Sequence, residues 1–246
     1  MSVGAQPAHV PVVVFDLDGT LIDTAPDLLR TLNTIFAREG LPQVDYGSAR
    51  NMVGGGARKM IERGLNTAGR TLPASEAEQL VQEFIEHYAA HIADASRPFP
   101  GIKAALDELK AAGCRLAVCT NKLEWLAVKL LRILGLSDRF SAICGADTFR
   151  VPKPNPAILL GTIERAGGDP RHAVMVGDSF TDVATARAAG VPIVVVEFGY
   201  SETPVAQLDP DRVVEAFSEL PGAVFDLLRE QAGQFHRTGR GRIHVT

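Results

Sequence analysis

Three carboxylates, Asp16, Asp18 and Asp23, fall within eight positions at the end of the β-branched run "VVVFDLDGTLIDT", residues 12–24. Like charges this close raise one another's proton affinity and are costly unless a cation, a proton or a substrate offsets them. Other strand-like runs end in groups that suit the same locale. Thr120 and Asn121 follow "RLAVC", and are neutral donors matched to phosphoryl oxygens. Lys153 sits in "VPKPNP", where Pro152 and Pro154 restrict the backbone, and Asp178, Ser179 and Asp182 follow "AVMVG". The set offers a nucleophile or an acid pair, hydroxyl and amide donors, a fixed ammonium and further carboxylates. Mg²⁺ takes oxygen ligands and keeps several waters, so Asp16 and Asp178 can hold it while a phosphate fills another position. Phosphoryl transfer is the chemistry this inventory points to.

Bringing these residues together requires a particular frame. The runs "VPVVVFD", "RLAVCTN", "FSAICGAD", "AVMVGDS" and "PIVVVEF" are continuous and apolar, and are separated mostly by segments with helical spacing such as "GIKAALDELKAAG" and "LEWLAVKLLRILG". Strands without alternation, interleaved with helices, indicate a parallel sheet covered on both faces: a doubly wound, Rossmann-like α/β core. Ligands of such sheets bind beyond the carboxyl ends of the strands, near a topological switch point. The alternation fails between residues 24 and 96, where "APDLLRTLNTIFAREG", "GSARNMVGGGARKMIERGLNTAG" and "ASEAEQLVQEFIEHYAAHIADAS" repeat apolar residues at three- and four-residue steps. This predicts a small all-helical cap over 24–96, inserted after the first strand into a discontinuous core made of 1–23 plus 97–246. From about residue 234, "QFHRTGRGRIHVT" has no sustained period, which predicts a loosely ordered tail.

Composition narrows the partners. With 25 Lys+Arg against 29 Asp+Glu, the 246-residue chain carries a formal net charge of −4 and lacks the basic footprint of nucleic-acid binding. No apolar run approaches a membrane span, and "MSVGAQPAHV" lacks the segments of a signal peptide, so a cytoplasmic enzyme without membrane partners is expected. The three cysteines, Cys114, Cys119 and Cys144, suggest neither disulfides nor zinc and read as small core residues. His87 and His91 stand four apart on a helix, but the H-E-x-x-H pattern is absent, and they read as cap surface.

The motifs "DLDGTLID", "CTNK", "PKPNP" and "VGDSFTD", in this order, resemble the four motifs of the haloacid dehalogenase superfamily of phosphohydrolases. The resemblance covers almost the whole chain, the helical insertion included. It implies that Asp16 is the nucleophile that becomes an aspartyl-phosphate. It makes Asp18 the general acid/base, whose backbone carbonyl also binds Mg²⁺, and Lys153 the cation that steadies the nucleophile and phosphoryl group. Thr120 and Asn121 match the phosphate-binding motif and Asp178 the metal-binding acid, with Asp182 behind it. Dehalogenases and phosphonatases lack an aspartate where this chain has Asp18, which favours phosphate esters. Within the superfamily, "DLDGTLIDTAPDL", "VGGGARKMIERGL" and "MVGDSFTDVATARAAGVPIVVVEFGY" look most like the phosphoglycolate phosphatase family.

The expected activity is therefore Mg²⁺-dependent hydrolysis of 2-phosphoglycolate, a small phosphorylated metabolite, by a monomer or small homo-oligomer. Gly54, Gly55 and Gly56, followed by Arg58, read as a mobile loop offering a cation to a second anionic group such as a carboxylate. The alternatives are a phosphatase of another small ester such as N-acetylmuramate 6-phosphate, a pyrophosphatase, a phosphosugar mutase, or a phosphoaspartate signalling switch. Asp18 and the helical insertion oppose the last, because a switch needs neither an activated water nor an enclosure.

Overall fold

A computed structural model describes residues 10–45 and 52–238, with the side chains of 234–238 left out. Six parallel strands form one sheet: β1 (Val12–Phe15), β4 (Arg115–Cys119), β5 (Ala142–Cys144), β6 (Ala173–Gly177), β7 (Ile193–Val196) and β8 (Arg212–Val214). Their order is β5-β4-β1-β6-β7-β8. The chain builds outward from β1 through β4 to β5, then returns to the other flank of β1 through β6. That reversal is a switch point, and the strand ends beside it are those of β1, β4 and β6.

Both faces of the sheet are buried, which explains the unbroken apolar runs. Val13, Phe15, Leu116, Val118, Val174 and Val176 face α4 (Ile102–Ala111), α5 (Glu124–Ile133) and α8 (Leu220–Thr238). The alternate residues Val12, Val14, Ala117, Cys119 and Met175 pack on α6 (Pro156–Arg165) and α7 (Phe180–Ala189). All three cysteines are buried and free.

Between β1 and β4 the chain makes a two-residue antiparallel ribbon, β2 (Ile22–Asp23) with β3 (Arg97–Pro98), pairing Ile22 with Pro98 and Asp23 with Arg97. The helices α1 (Ala25–Arg38), α2 (Ala57–Thr67) and α3 (Ala74–Ala90) lie between these two strands. The insertion is thus helical but is entered and left through paired strands. Asp27 in the first turn of α1 ties the far end of the insertion back to its start: its carboxylate accepts from the Ala95 and Ser96 N–H groups and from the Ser96 hydroxyl at 2.7–3.0 Å.

Helix α2 begins at Ala57, just after Gly54 and Gly56, which hold φ of +106° and +85°; residues 46–51, where the first part of that predicted stretch falls, lie outside the described residues. Helix α8 runs to Thr238, and the rest of the segment expected to be loosely ordered, with Arg240 and Arg242, lies outside the described residues. His87 is half-buried rather than at the surface, its Nδ1 lying 3.3 Å from the Thr31 hydroxyl. Among the described residues no helix is long and apolar enough to cross a membrane.

Candidate active site

Three strand ends and one loop deliver the charged groups to a single place. Asp16 follows β1, and its N–H bonds Val176 O of β6 at 2.8 Å, which fixes the first turn beyond the sheet. Asp178 follows β6. The closest carboxylate oxygens of Asp16, Asp178 and Asp182 lie within 4.8 Å of one another, all three side chains buried. Lys153, 2% exposed, sets its Nζ 2.8 Å from Asp16 Oδ1 and 2.6 Å from Asp182 Oδ1. The contact between Lys153 and Asp16 is a buried ion pair.

The electrostatics follow from burial. Desolvation lifts the Asp16 carboxyl from 3.8 to about 7; Lys153 opposes the rise, while Asp182 and Asp18 add to it. Asp178 is pushed well above the usual carboxylate range by burial, then by Asp182 and Asp16. For Lys153, burial alone would lower the ammonium's pKa, but Asp16 and then Asp182 reverse this and hold it above the ordinary lysine value. Four carboxylates, Asp16, Asp18, Asp178 and Asp182, face two buried ammoniums, Lys153 and Lys122. A divalent cation would offset the excess negative charge, and an all-oxygen donor set with converging carboxylates fits Mg²⁺.

Each acid is held differently. Both oxygens of Asp182 are engaged: Oδ1 by Lys153, and Oδ2 by the N–H groups of Asp178 and Ser179 and by the Ser179 hydroxyl at 2.7–3.2 Å. It therefore braces the Asp178 loop and orients Lys153. Asp178 accepts from the Thr20 hydroxyl at 2.9 Å and the Tyr200 N–H at 2.6 Å. Asp18 accepts from the Thr24 hydroxyl at 2.7 Å and lies 3.0 Å from Lys122 Nζ. Asp18 lines a cavity of about 330 Å³ whose other walls include Gly54–Gly56, Arg58, Tyr88, Asn121 and Lys122.

Thr120 and Asn121 are buried at the end of β4, where the sequence places them. The Asn121 side chain, however, is spent on the backbone of Lys153, accepting from its N–H at 2.8 Å and donating to its carbonyl at 3.2 Å. It thereby fixes the lysine's backbone while keeping one amide N–H in reserve. Arg58 lines the cavity, but its side chain is 53% exposed and its guanidinium pairs with Glu78 of α3. Three contributors escaped the sequence reading: Lys122, Tyr88 and Tyr200. Lys122 stands in "CTNK", which was a signal; nothing local in the sequence marks Tyr88 or Tyr200.

The family model for haloacid dehalogenase-like hydrolases matches residues 13–196. The chain belongs to that family. It is 48% identical over 218 residues to a phosphoglycolate phosphatase of Agrobacterium fabrum, covering 89% of this chain and 94% of the relative. It is 49% identical over 216 residues to one from Caulobacter vibrioides, covering 88% and 91%. Among solved structures, one described as a predicted phosphoglycolate phosphatase from Haemophilus somnus superposes with a TM-score of 0.79 at 30% identity, covering 85% of this chain and 96% of that one.

Proposed function

We propose that this protein is a Mg²⁺-dependent phosphatase that hydrolyses 2-phosphoglycolate to glycolate and phosphate through an aspartyl-phosphate. The observation that carries the reading is the buried constellation of Asp16, Lys153, Asp178 and Asp182 with Asp18 opening onto the cavity. The substrate comes from the names of relatives 46–49% identical over most of their length.

In this reading a free oxygen of Asp16 attacks phosphorus as the P–O bond to the glycolate oxygen breaks. Asp18 donates its proton to that leaving oxygen, then takes one from the water that attacks the aspartyl-phosphate, so that phosphate leaves and Asp16 is restored. Lys153 holds Asp16 in place and offsets charge on the phosphoryl oxygens, while Thr120 and the main chain at Asn121 supply neutral donors. Asp16, Asp178 and the main-chain carbonyl of Asp18 would hold Mg²⁺. When bound, the ion neutralises developing charge on the phosphoryl group. Residues 24–96 act as the cap that excludes water, over a core of 1–23 and 97–246, with Arg58 as an outlying cation at the rim. The enzyme works in the cytoplasm as a monomer or small homo-oligomer.

The test is kcat/KM, with Mg²⁺, across 2-phosphoglycolate, N-acetylmuramate 6-phosphate, hexose phosphates and pyrophosphate. A lead of two orders of magnitude for 2-phosphoglycolate, roughly 3 kcal/mol of transition-state discrimination, is expected. A different leading ester overturns the substrate. Turnover of none of them overturns the enzyme.

A further inference from the structure

The chemistry above leaves two groups on the cavity wall without a task. Lys122 is buried just beyond β4, and its Nζ donates to the Tyr88 hydroxyl oxygen at 3.2 Å while lying 3.0 Å from Asp18 Oδ1. The ammonium also stands over the Tyr88 ring, 4.6 Å from its centre. Tyr88 comes from α3, is 1% exposed and stacks on Phe84. The end of α3 is fixed to the core by Lys129 of α5, whose Nζ donates to Ala89 O at 2.7 Å.

Counting donors shows what the pair lacks. A lysine ammonium has three N–H groups and no acceptor capacity. Asp18 and Tyr88 occupy two of them. Because the phenol oxygen accepts from Lys122, its own O–H points elsewhere, and no acceptor for it is found among the described residues. Burial, with Asp18 and Asp27 nearby, holds the phenol well above its ordinary pKa, so it stays a neutral donor. A buried donor left unpaired is costly, and both unspent donors belong to residues lining the same cavity as Asp18.

We propose that Lys122 and Tyr88 together form the subsite for the substrate's carboxylate, one donor from the core and one from the helical insertion. This rests on the phosphoglycolate reading. In that ester the carboxyl carbon stands two bonds from the oxygen that Asp18 protonates, so the carboxylate's partner must sit within a few ångströms of Asp18. Lys122 meets this requirement. Arg58, half exposed and already paired with Glu78, is a poorer match. Because Tyr88 is supplied by α3, the anion site is complete only with α3 seated on the core, which links recognition to closure.

The test compares 2-phosphoglycolate with 2-hydroxyethyl phosphate, which keeps the two-carbon ester and replaces the carboxylate with a neutral alcohol. Tyr88→Phe keeps the ring and removes only the hydroxyl. It is expected to lower kcat/KM for 2-phosphoglycolate roughly 10- to 100-fold, the worth of a hydrogen bond to a charged group, and at least tenfold more than for the neutral ester. Lys122→Met lowers both rates through Asp18 but also narrows the preference, and Lys122→Arg restores much of it. Equal losses on the two esters in both variants overturn the subsite while leaving the substrate reading intact. A wild-type enzyme that does not prefer the carboxylate ester overturns both. Thermal melts establish which variants fold, and Tyr88→Phe decides the question if Lys122→Met does not.

Discussion

Lys153 reaches Asp16 from a loop far along the chain, and its ammonium ends 2.8 Å from Asp16 Oδ1 with 1% of the lysine side chain exposed. The lysine is held at three points: Asp16 and Asp182 take its charge, and the Asn121 side chain brackets its backbone. A cation so confined cannot follow a mobile substrate. It fixes the orientation of Asp16, which is the arrangement that preorganised electrostatic catalysis in the proposed reaction requires.

Removing that cation leaves buried carboxylates facing one another. Lys153→Met is expected to destabilise the metal-free protein by about 3–5 kcal/mol at pH 8, the usual cost of breaking a buried pair. The loss is smaller at pH 5. Asp16, with its pKa lifted to about 7, is mostly protonated there, so less negative charge is left without its partner. Lys153 itself stays charged across this window, since its pKa is raised. Urea melts at the two pH values check this; equal losses would show that Asp16 does not titrate between them.

The same carboxyl is expected to set the pH dependence of Mg²⁺ binding. Between its ordinary value of 3.8 and about 7, folded Asp16 keeps a proton that the unfolded chain has released, so its contribution to stability falls as pH rises through that range. Mg²⁺ competes with that proton. A given Mg²⁺ concentration is therefore expected to raise Tm more at pH 8 than at pH 6 in the wild type, with the shift largely lost in Asp178→Asn. Chelation is expected to abolish turnover. A shift independent of pH, or one that survives Asp178→Asn, would remove these two acids from the metal site.

In the proposed mechanism Asp18 serves both half-reactions, and the two can be separated. Asp18→Asn keeps an acceptor for the Thr24 hydroxyl but can neither donate a proton to the leaving oxygen nor take one from water. Turnover is expected to fall roughly 10²- to 10⁴-fold. With an aryl phosphate, whose leaving group needs no proton, the first step persists and hydroxylamine-labile phosphoprotein accumulates. Full turnover in this variant would exclude Asp18 as the acid/base.

What was legible in the sequence divides along physical lines. Strands buried on both faces announce themselves as β-branched runs, so β1, β4, β5, β6 and β7 were readable and the strand-end acids with them. β8 was not, because "RVV" is a three-residue edge strand with an exposed middle residue. The β2–β3 ribbon is shorter still and contains Pro98, which disfavours strand readings. Asn121 reads as a phosphate donor from its residue type; that its side chain also brackets a backbone 32 residues away is something no local pattern reveals. Tyr88 shares its helical face with Leu80, Val81 and Phe84, so periodicity marks it as core, and only the packing of α3 places its hydroxyl beside Lys122 on the cavity wall.

Gly19 offers the sharpest probe of how tightly Asp178 is placed. Its φ is +87°, and a Cβ there would fall 2.4 Å from Asp178 Oδ2 and 2.7 Å from Tyr200 Cδ2. Gly40 has φ of +64° with nothing within 4 Å. Gly40→Ala therefore meets only the backbone strain, about 1–2 kcal/mol. Gly19→Ala meets the same strain and must also move the carboxylate held by Thr20 and the Tyr200 N–H. The expected result is a larger loss of stability in Gly19→Ala, together with at least about tenfold weaker Mg²⁺ binding, while Gly40→Ala binds as the wild type does. Magnesium titrations followed by thermal melting compare the two. If both variants bind Mg²⁺ equally well, the position of the Asp178 carboxylate seen here is not the one that serves the metal.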